Sequence, residues 1–540
     1  MAVITPNSDV ILLKVPLEID EANQLTFSNA TAQYNYFNGL TGKRVLDKYT
    51  YQRKDDTIRV GDLYDNLYSY NYVMYRNTNH GSKWFYAFIT GMEYINDSVT
   101  AIKIKTDVWQ TWQFDLNYKT TFVEREHVND DTIGAHTIDE NLHLGDFVIN
   151  SSTTLKPDKT VKDSDNNAIN WTHPIFFQTT ELAGDAMGGR ENQYNSEYNR
   201  IFSGLYYFAC CSLSDARGIL SQYAGAGKSG TIVAIFMAPK EFLNSATKVT
   251  GGGVTAYIPA NSAYLSTMLD TTTISRPATI NGYTPKNNKL FTAPFSYVYV
   301  TNNTGTDTTF NYEDFKDATP KFYMAGALGQ GCAIKMCPVS YKKYTDNTEV
   351  FEYGITGAKY PVCAWATDYY TNWCTQNAAN ITNSLGKSAM GAAIGGALTG
   401  GVGAVVGAGA SLIGSITDTM VKKYEASIVP DQAKGNANTS DLLLCWERYF
   451  TVDCMSVRAE IAQSIDQYFS MFGYKVNSVK VPNITGRTNW NYVKTIGCYI
   501  DADIPQDDLQ EIKSMFDKGI TFWHNASTFG DYSQSNTIVV

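Results

Sequence analysis

The longest uncharged segment of this 540-residue chain runs from Ser388 to Thr417 and consists almost entirely of small and apolar residues. As a helix, a segment of this length would extend over about 45 Å, which exceeds the ~30 Å hydrocarbon core of a bilayer. Its large apolar residues recur at helical spacing and would form one stripe, made of Met390, Ile394, Leu398, Val402, Val405, Val406, Leu412, Ile413 and Ile416. The protein must therefore bury this segment in a core or bring it into contact with lipid.

A column of small residues runs beside the stripe. Glycine pairs separated by three residues, a spacing that lets helices approach closely in lipid, recur among Gly391, Gly395, Gly396, Gly400, Gly403 and Gly407. The nine glycines of the segment, at roughly 1 kcal/mol each relative to alanine, lower its intrinsic helix stability in water by on the order of 9 kcal/mol. Both flanks are polar. We expect a loop that is kept soluble in one state and inserted into a membrane in another; the alternative is a buried Gly/Ala helix pair.

Most of the remaining chain contains runs that are typical of β-strands. The run at 97–116 alternates between apolar and polar residues, the run at 10–19 is strand-like, and those at 205–213 and 230–239 predict buried strands within a strand-rich but irregular region, 166–370. Clusters of Gly, Asn, Asp and Thr separate these runs and predict turns. No repeat period is visible, which argues against a fibre or a solenoid.

Helical periodicity is concentrated near the C-terminus. One helix is predicted over 455–472, where Gly473 follows as a left-handed cap, and a second from Pro505, a good first-turn residue, to Gly519. The runs at 474–484 and 491–500 predict strands.

These patterns predict a mainly β fold with some helix, of the α+β class. We expect an N-terminal domain over 1–165, an inserted β-rich domain over 166–370, the apolar loop with its polar flanks over 371–435, and a C-terminal part over 436–540.

The charge balance restricts the function. With 43 Lys and Arg against 53 Asp and Glu, the net charge is −10, which argues against a protein that holds nucleic acid by neutralising phosphates. A surface past which DNA slides remains compatible with this charge.

The nine cysteines have no regular spacing and predict reduced, mostly buried thiols. The first residues lack a basic region and a cleavage site, so we see no secretory signal and expect assembly in a cytoplasm.

No pattern predicts an active site, a cofactor or a metal. The sequence "GKS" occurs at 227–229, between two strand-like runs, and at 386–388. Gln222 and Ile381 occupy the position of the glycine that a phosphate-binding loop needs. The six histidines stand at no metal-ligand spacing, and Cys332 and Cys337 predict two buried thiols rather than zinc. The charged run Glu124–His127 predicts a solvated or cross-strand-paired face, and adjacent carboxylates such as Asp507 and Asp508 predict a turn or a helix start.

Longer motifs at both ends carry a family resemblance. The chain resembles the distal tail-tube, or tail knob, proteins of small protein-primed podophages of Gram-positive bacteria through KWFYAF (83–88), DVWQTWQFD (107–115), FVEREHV (122–128), TIDENL (137–142), FGYKVN (472–477), NYVKTIGC (491–498) and DLQEIKSMFDKGITFWH (508–524). Residues 150–370 depart from the family in sequence, and the uncharged segment lies where the family carries a hydrophobic loop. We expect the aromatic motifs to serve packing rather than ligand contact.

The resemblance implies a homohexameric tube at the tail tip of a virion, with walls of β-barrel-like domains built jointly by the N- and C-terminal regions. The loops would plug the channel and later line a pore in the host cytoplasmic membrane for genome ejection. Implied partners are other copies of the chain, upper tail or connector proteins, the host membrane, and double-stranded DNA that passes without tight binding; no cofactor is implied.

Two alternatives stay open. A receptor-binding or cell-wall-degrading tail-tip enzyme would require a pair of carboxylates assembled within 150–370. A stand-alone pore-forming toxin would usually carry a secretion signal.

Overall fold

The computed structural model describes residues 8–47, 56–78, 81–190, 205–228, 231–260, 265–303, 305–328, 332–342, 348–357 and 449–539, with short strand segments at 197–198, 201–202 and 364–366. These residues fall into two compact units. Unit 1 draws on the ranges Met1–Asp146, Gly282–Phe295 and Arg458–Val540, and unit 2 on Phe147–Asn281 and Ser296–Val457. Each unit therefore combines segments that are distant in sequence.

Strands dominate both units. In chain order they are β1 (Ser8–Leu13), β2 (Asn23–Leu25), β3 (Arg44–Asp47), β4 (Thr57–Val60), β5 (Tyr72–Asn77), β6 (Phe85–Asn96), β7 (Val99–Thr106), β8 (Asn117–Tyr118), β9 (Thr121–Glu126), β10 (Phe147–Leu155), β11 (Ile175–Thr179), β12 (Glu197–Tyr198), β13 (Ile201–Phe202), β14 (Tyr206–Cys210), β15 (Ile232–Met237), β16 (Thr247–Gly251), β17 (Val254–Ile258), β18 (Leu265–Thr273), β19 (Ser296–Thr301), β20 (Asp307–Phe310), β21 (Lys321–Leu328), β22 (Cys332–Pro338), β23 (Ile355–Thr356), β24 (Ala364–Ala366), β25 (Phe450–Val457), β26 (Tyr474–Lys480), β27 (Trp490–Ile496), β28 (Ile500–Asp501) and β29 (Ile520–Trp523).

The described α-helices are fewer and mostly short. They are α1 (Ala30–Gly39), α2 (Tyr64–Leu67), α3 (Val108–Trp112), α4 (Gly184–Met187), α5 (Leu213–Gly225), α6 (Ala459–Phe472) and α7 (Gln506–Lys518). The expectation of a mainly β fold with some helix is confirmed.

Unit 1 contains a sheet that joins the two ends of the chain. Its strand order is β2-β29-β27-β9-β26, with β2 parallel to β29 and the other pairs antiparallel. Strand β9, from the N-terminal region, lies between β26 and β27 from the C-terminal region, so that Glu126 is opposite both Tyr474 and Val493. A second, six-stranded antiparallel sheet of order β3-β1-β5-β6-β7-β4 comes entirely from the N-terminal region.

Helix α7 covers one face of the five-stranded sheet. Its Leu509, Ile512 and Phe516 are buried in a core that includes Val493 of β27. The helix ends at Gly519, whose φ of 96° favours glycine, and a Cβ there would lie 2.2 Å from the Tyr492 hydroxyl oxygen. The termination predicted at Gly519 is therefore confirmed.

Unit 2 is built around one large apolar core. A six-stranded sheet of order β16-β17-β14-β11-β15-β24 accompanies two four-stranded sheets of orders β10-β25-β19-β20 and β18-β21-β22-β23. The core combines aliphatic residues with several buried phenylalanines, including Phe176, Phe242, Phe310, Phe322 and Phe450.

The structure corrects several sequence predictions. Met455–Val457 extends β25, where Met455 pairs with Ile149 and Tyr297, so the helix predicted from 455 begins at Ala459. Pro505 is the residue before α7 rather than its first-turn residue. Helices α1 and α5 were not predicted, although the residues that cap them, Asn29 and Ser212, are typical N-cap residues. Since α5 ends at Gly225, the "GKS" at 227–229 follows a helix and not a strand.

Five cysteines lie in the part of the chain whose side chains are described. All five are free thiols; Cys210, Cys337, Cys454 and Cys498 are buried and Cys211 is partly buried. For these residues the prediction of reduced, mostly buried thiols is confirmed.

Candidate functional site

All seven motifs that carry the family resemblance lie in unit 1. Three segments of the chain meet there: 121–146, 282–295 and 458–540. Besides the pairing of β9 with β26 and β27, ion pairs and hydrogen bonds of buried and partly buried polar side chains join these segments. We call these side chains the charged core; they are Arg125, Glu126, His127, Asp131, Glu140, Lys289, Asp466 and Arg487.

Glu140 is the centre of the charged core. Its side chain is 1% exposed and pairs with the Arg125 guanidinium and the Lys289 ammonium, and it accepts the backbone N–H of Lys475 at 2.9 Å. Arg125 also donates to the carbonyl oxygen of Gly473 at 2.6 Å. Burial lowers the pKa of Lys289, against the attraction of Glu140, which raises it. One carboxylate therefore holds together all three segments.

Asp466 and Asp131 fix the middle segment from two sides. Asp466 on α6 accepts hydrogen bonds from the Tyr283 hydroxyl at 2.6 Å and from the backbone N–H groups of Lys286 at 2.8 Å and Asn287 at 3.0 Å. Asp131 accepts from the Tyr474 hydroxyl at 2.6 Å and from the backbone N–H of Asn288 at 3.1 Å. Segment 283–289 is thus held by three carboxylates from its neighbours within unit 1.

The charged run of β9 contributes directly to this core. Glu124 pairs with Lys494 on the neighbouring strand at 2.8 Å, which confirms the predicted cross-strand pairing. Arg125, Glu126 and His127 are all buried, so the prediction of a solvated face is wrong for them. Glu126 is covered because residues from the C-terminal region, including Lys480 and the backbone N–H of Asn483, surround its carboxylate.

His127 is uncharged at neutral pH. Its Nδ1 accepts the backbone N–H of Tyr492 at 2.8 Å, so the proton is on Nε2, which donates to the Ser470 carbonyl oxygen at 3.2 Å. Burial, and then the positive charge of Arg487, lower the pKa of His127 to about 3. The imidazole is therefore a fixed structural link between β9, α6 and β27.

A second group of buried acids lies beside α3 and α7. Lys105 pairs with Glu511 at 2.6 Å and lies 3.5 Å from Glu21. Asp107 caps α3 and accepts a hydrogen bond from the Tyr72 hydroxyl at 2.9 Å. Burial raises the pKa of Glu21 to about 7 and the pKa of Asp107 to about 6. Unlike an exposed carboxyl group, both titrate close to neutral pH.

The aromatic motifs pack inside unit 1. Trp109, Trp490 and Trp523 are buried, with ring centroids 4.5 Å apart between Trp109 and Phe522 and 5.1 Å apart between Trp490 and Trp523. For Trp109 and Trp523, which lie in the motifs, the predicted packing role is confirmed, whereas Phe114 in the motif at 107–115 is exposed. Asp508, at the start of α7, accepts the Trp112 indole N–H at 2.8 Å, which confirms its helix-start position.

The predicted membrane-inserting residues, from Met390 to Ile416, and the glycine column from Gly391 to Gly407 lie outside the described residues. Over the ranges that are described, none of the helices combines the length and the apolar character that crossing a bilayer requires. In those same ranges no group of three or more His, Cys, Asp or Glu side chains is arranged to hold a metal ion.

Sequence reasoning missed the most deeply buried charges of the site. Glu140 lies in the TIDENL motif, which pointed to the family but not to an ionic role. The buried Lys289 and Asp466, and the partly buried Asp131, stand in ordinary polar surroundings in the sequence, and no local signal distinguishes them from solvated residues.

Comparisons with known proteins agree with this architecture. Residues 260–537 match the family model of the C-terminal domain of the Bacillus phage phi29 tail knob protein gp9. Residues 6–117 match the model of the caudoviral major tail protein N-terminus.

Curated relatives extend over nearly the whole chain. The tail knob protein gp9 of Bacillus phage phi29 is 27% identical over 597 residues, and that of Bacillus phage PZA is 26% identical over 596, each alignment covering 98% of both chains. Among solved structures, the bacteriophage C1 tail knob protein, gp12, superposes with a TM-score of 0.64 at 13% identity, covering 98% of this chain and 100% of that one. The two chains therefore share a fold.

Proposed function

This chain belongs to the family of the phi29 tail knob protein gp9, and from that premise we propose that six copies form a tube at the tip of a phage tail through which DNA leaves the virion. The match of residues 6–117 to a major tail protein supports a tube-forming role. We assign the tube wall to the N- and C-terminal regions, 1–165 and 436–540, and an inserted domain to 166–370. Upper tail or connector proteins would hold the tube to the virion.

The uncharged segment Ser388–Thr417 carries the second part of the proposal. In the assembled tube, six of these segments plug the channel; on release they enter the host cytoplasmic membrane and line a pore. The supporting observation is the mismatch between an apolar stripe long enough to span a bilayer and a glycine content too high for a stable helix in water.

The acidic balance fits a conduit. A channel that held DNA through its phosphates would slow the passage of a genome, and the net charge of −10 opposes such binding. We propose no enzymatic role, since the relatives are named as tail knob proteins.

Dye release from anionic liposomes tests the membrane role. The wild-type protein should release dye under a suitable trigger such as low pH, and a variant lacking 388–417 should not, while still assembling. Val405→Asp places a carboxylate that costs about 2.5–3.5 kcal/mol per chain at mid-bilayer, so it should abolish release.

Asn383→Asp is the matched control, because it adds the same charge in the polar flank, and it should leave dye release unchanged. If the deletion variant fails to fold while Val405→Asp still releases dye, the segment is part of a core and the membrane proposal is wrong.

A further inference from the structure

Unit 1 contains a cavity of about 460 Å³ that the proposed tube and pore do not use. Its walls are residues 286–288 of the middle segment, residues 532–538 near the C-terminus, and side chains of the charged core that include His127, Asp131 and Arg487. The volume is within the range of small-molecule sites in proteins.

The walls of the cavity are held in place by hydrogen bonds of their own. Asn536 accepts the backbone N–H groups of Asn489 at 3.0 Å and Trp490 at 3.1 Å, and it donates to the Trp490 carbonyl oxygen at 2.8 Å. The backbone N–H of Thr488 donates to the Thr537 carbonyl oxygen at 3.0 Å. On the opposite side, Asp466 holds the middle segment as described above. The cavity is therefore preformed.

The cavity has an excess of positive charge. The exposed Lys286 uses its backbone N–H to bind Asp466, while its ammonium group has no acceptor among the described residues. Arg487 donates to the Val128 carbonyl oxygen at 2.8 Å, and its buried Nε has no acceptor among the residues that the structure describes. Asp131 is the single carboxylate among the lining residues and is already occupied by Tyr474 and Asn288. His127 adds no charge, since its pKa is about 3.

The rest of the lining suits hydroxyl groups. Ser535 and Thr537, which carry hydroxyl groups, are among the lining residues, and the ring of Tyr532 packs on Trp490 with centroids 5.2 Å apart. Hydroxyls and amides can donate to and accept from the hydroxyls of a polyol, and an aromatic ring can cover its carbon atoms.

We propose that this cavity binds a small phosphorylated polyol, with the phosphate at Lys286 and the hydroxyl-bearing carbons against Ser535, Thr537 and Tyr532. The excess of positive charge in the lining favours the phosphate group, and the polar walls favour the polyol. The inference is independent of the membrane role of the uncharged segment.

Calorimetric titration of the full-length protein at low ionic strength tests this site. Glycerol 3-phosphate should bind at least about tenfold more tightly than glycerol or inorganic phosphate, because only it engages both parts of the cavity. Lys286→Gln should weaken glycerol 3-phosphate binding by about tenfold or more. Thr537→Val should weaken glycerol 3-phosphate binding but leave inorganic phosphate binding unchanged.

Lys518→Gln is the matched control, since Lys518 is an exposed lysine at the end of α7 that does not line the cavity. It should leave binding unchanged, and unfolding in urea should show that both variants remain folded. Equal weakening by Lys286→Gln and Lys518→Gln, no measurable binding of glycerol 3-phosphate, or equal affinity for it and for inorganic phosphate would overturn the proposal.

Discussion

At Glu21, burial outweighs the attraction of a nearby lysine. Its pKa is raised from 4.5 to about 7 in the folded protein, chiefly because the carboxylate is removed from water. The folded state therefore binds this proton more tightly than the unfolded state does. The resulting stabilisation is fully present below about pH 4.5 and is lost as the pH rises to about 7.

The variant Glu21→Gln should accordingly be stabilised relative to wild type, and its gain in the free energy of unfolding should be larger at pH 8 than at pH 4.5. The difference between the two gains should be about 1–3 kcal/mol. Urea denaturation at both pH values measures the difference. Glu93→Gln, at an exposed glutamate, should show no such pH-dependent gain. A gain for Glu21→Gln that is equal at both pH values would contradict the raised pKa.

Gly473 occupies a position that no other residue fits well. Its φ is 64°, and a Cβ would lie 2.1 Å from the carbonyl oxygen of Glu126. Gly473→Ala should lower the free energy of unfolding by about 1–2 kcal/mol for the left-handed backbone and about 1–3 kcal/mol for the clash. Gly42 has a φ of 72° with nothing near its Cβ position, so Gly42→Ala should show only the cost of the left-handed backbone and not that of a clash. Equal losses in thermal or urea unfolding would mean that the clash is relieved.

At the scale of elements, three carboxylates hold the middle segment 282–295 between strands and helices of the two chain ends. Lys289→Met leaves Glu140 buried with one cation fewer, which should lower the free energy of unfolding by about 3–5 kcal/mol. Lys286→Met, three residues earlier, removes an exposed ammonium and should change the free energy of unfolding by less than about 0.5 kcal/mol. Urea unfolding compares the two, and similar losses would show that the buried pair has no special weight.

For the whole molecule, the proposed tube predicts a homohexamer. Mass measurement of the purified protein should give about six times the chain mass of 59.9 kDa, and electron microscopy should show rings or tubes with sixfold symmetry. The variant without 388–417 should give the same particles, because the motifs at 83–128 and 472–524 remain. A stable monomer at micromolar concentration would contradict the assembly.

Local periodicity determined the elements that the sequence predicted correctly. An alternation of two over β7, a spacing of 3.6 over α6 and α7, and glycines at 473 and 519 can be read from neighbouring residues, because each reflects the geometry of one element. The family motifs likewise pointed to the tail knob proteins without any structure. The uncharged segment remains a prediction from sequence alone, since it lies outside the described residues.

Only the tertiary structure decided which residues those elements bury. Strand β9 lies between strands more than 340 positions later in the chain, and this pairing is what buries Arg125, Glu126 and His127 in a run that locally resembles a solvated strand. The tertiary structure also showed that Met455–Val457 belongs to strand β25, because β10 and β19 pair with these residues. Lys289 is buried because Glu140 meets it within unit 1. Burial and pairing depend on segments brought together from distant parts of the chain, and no local pattern records them.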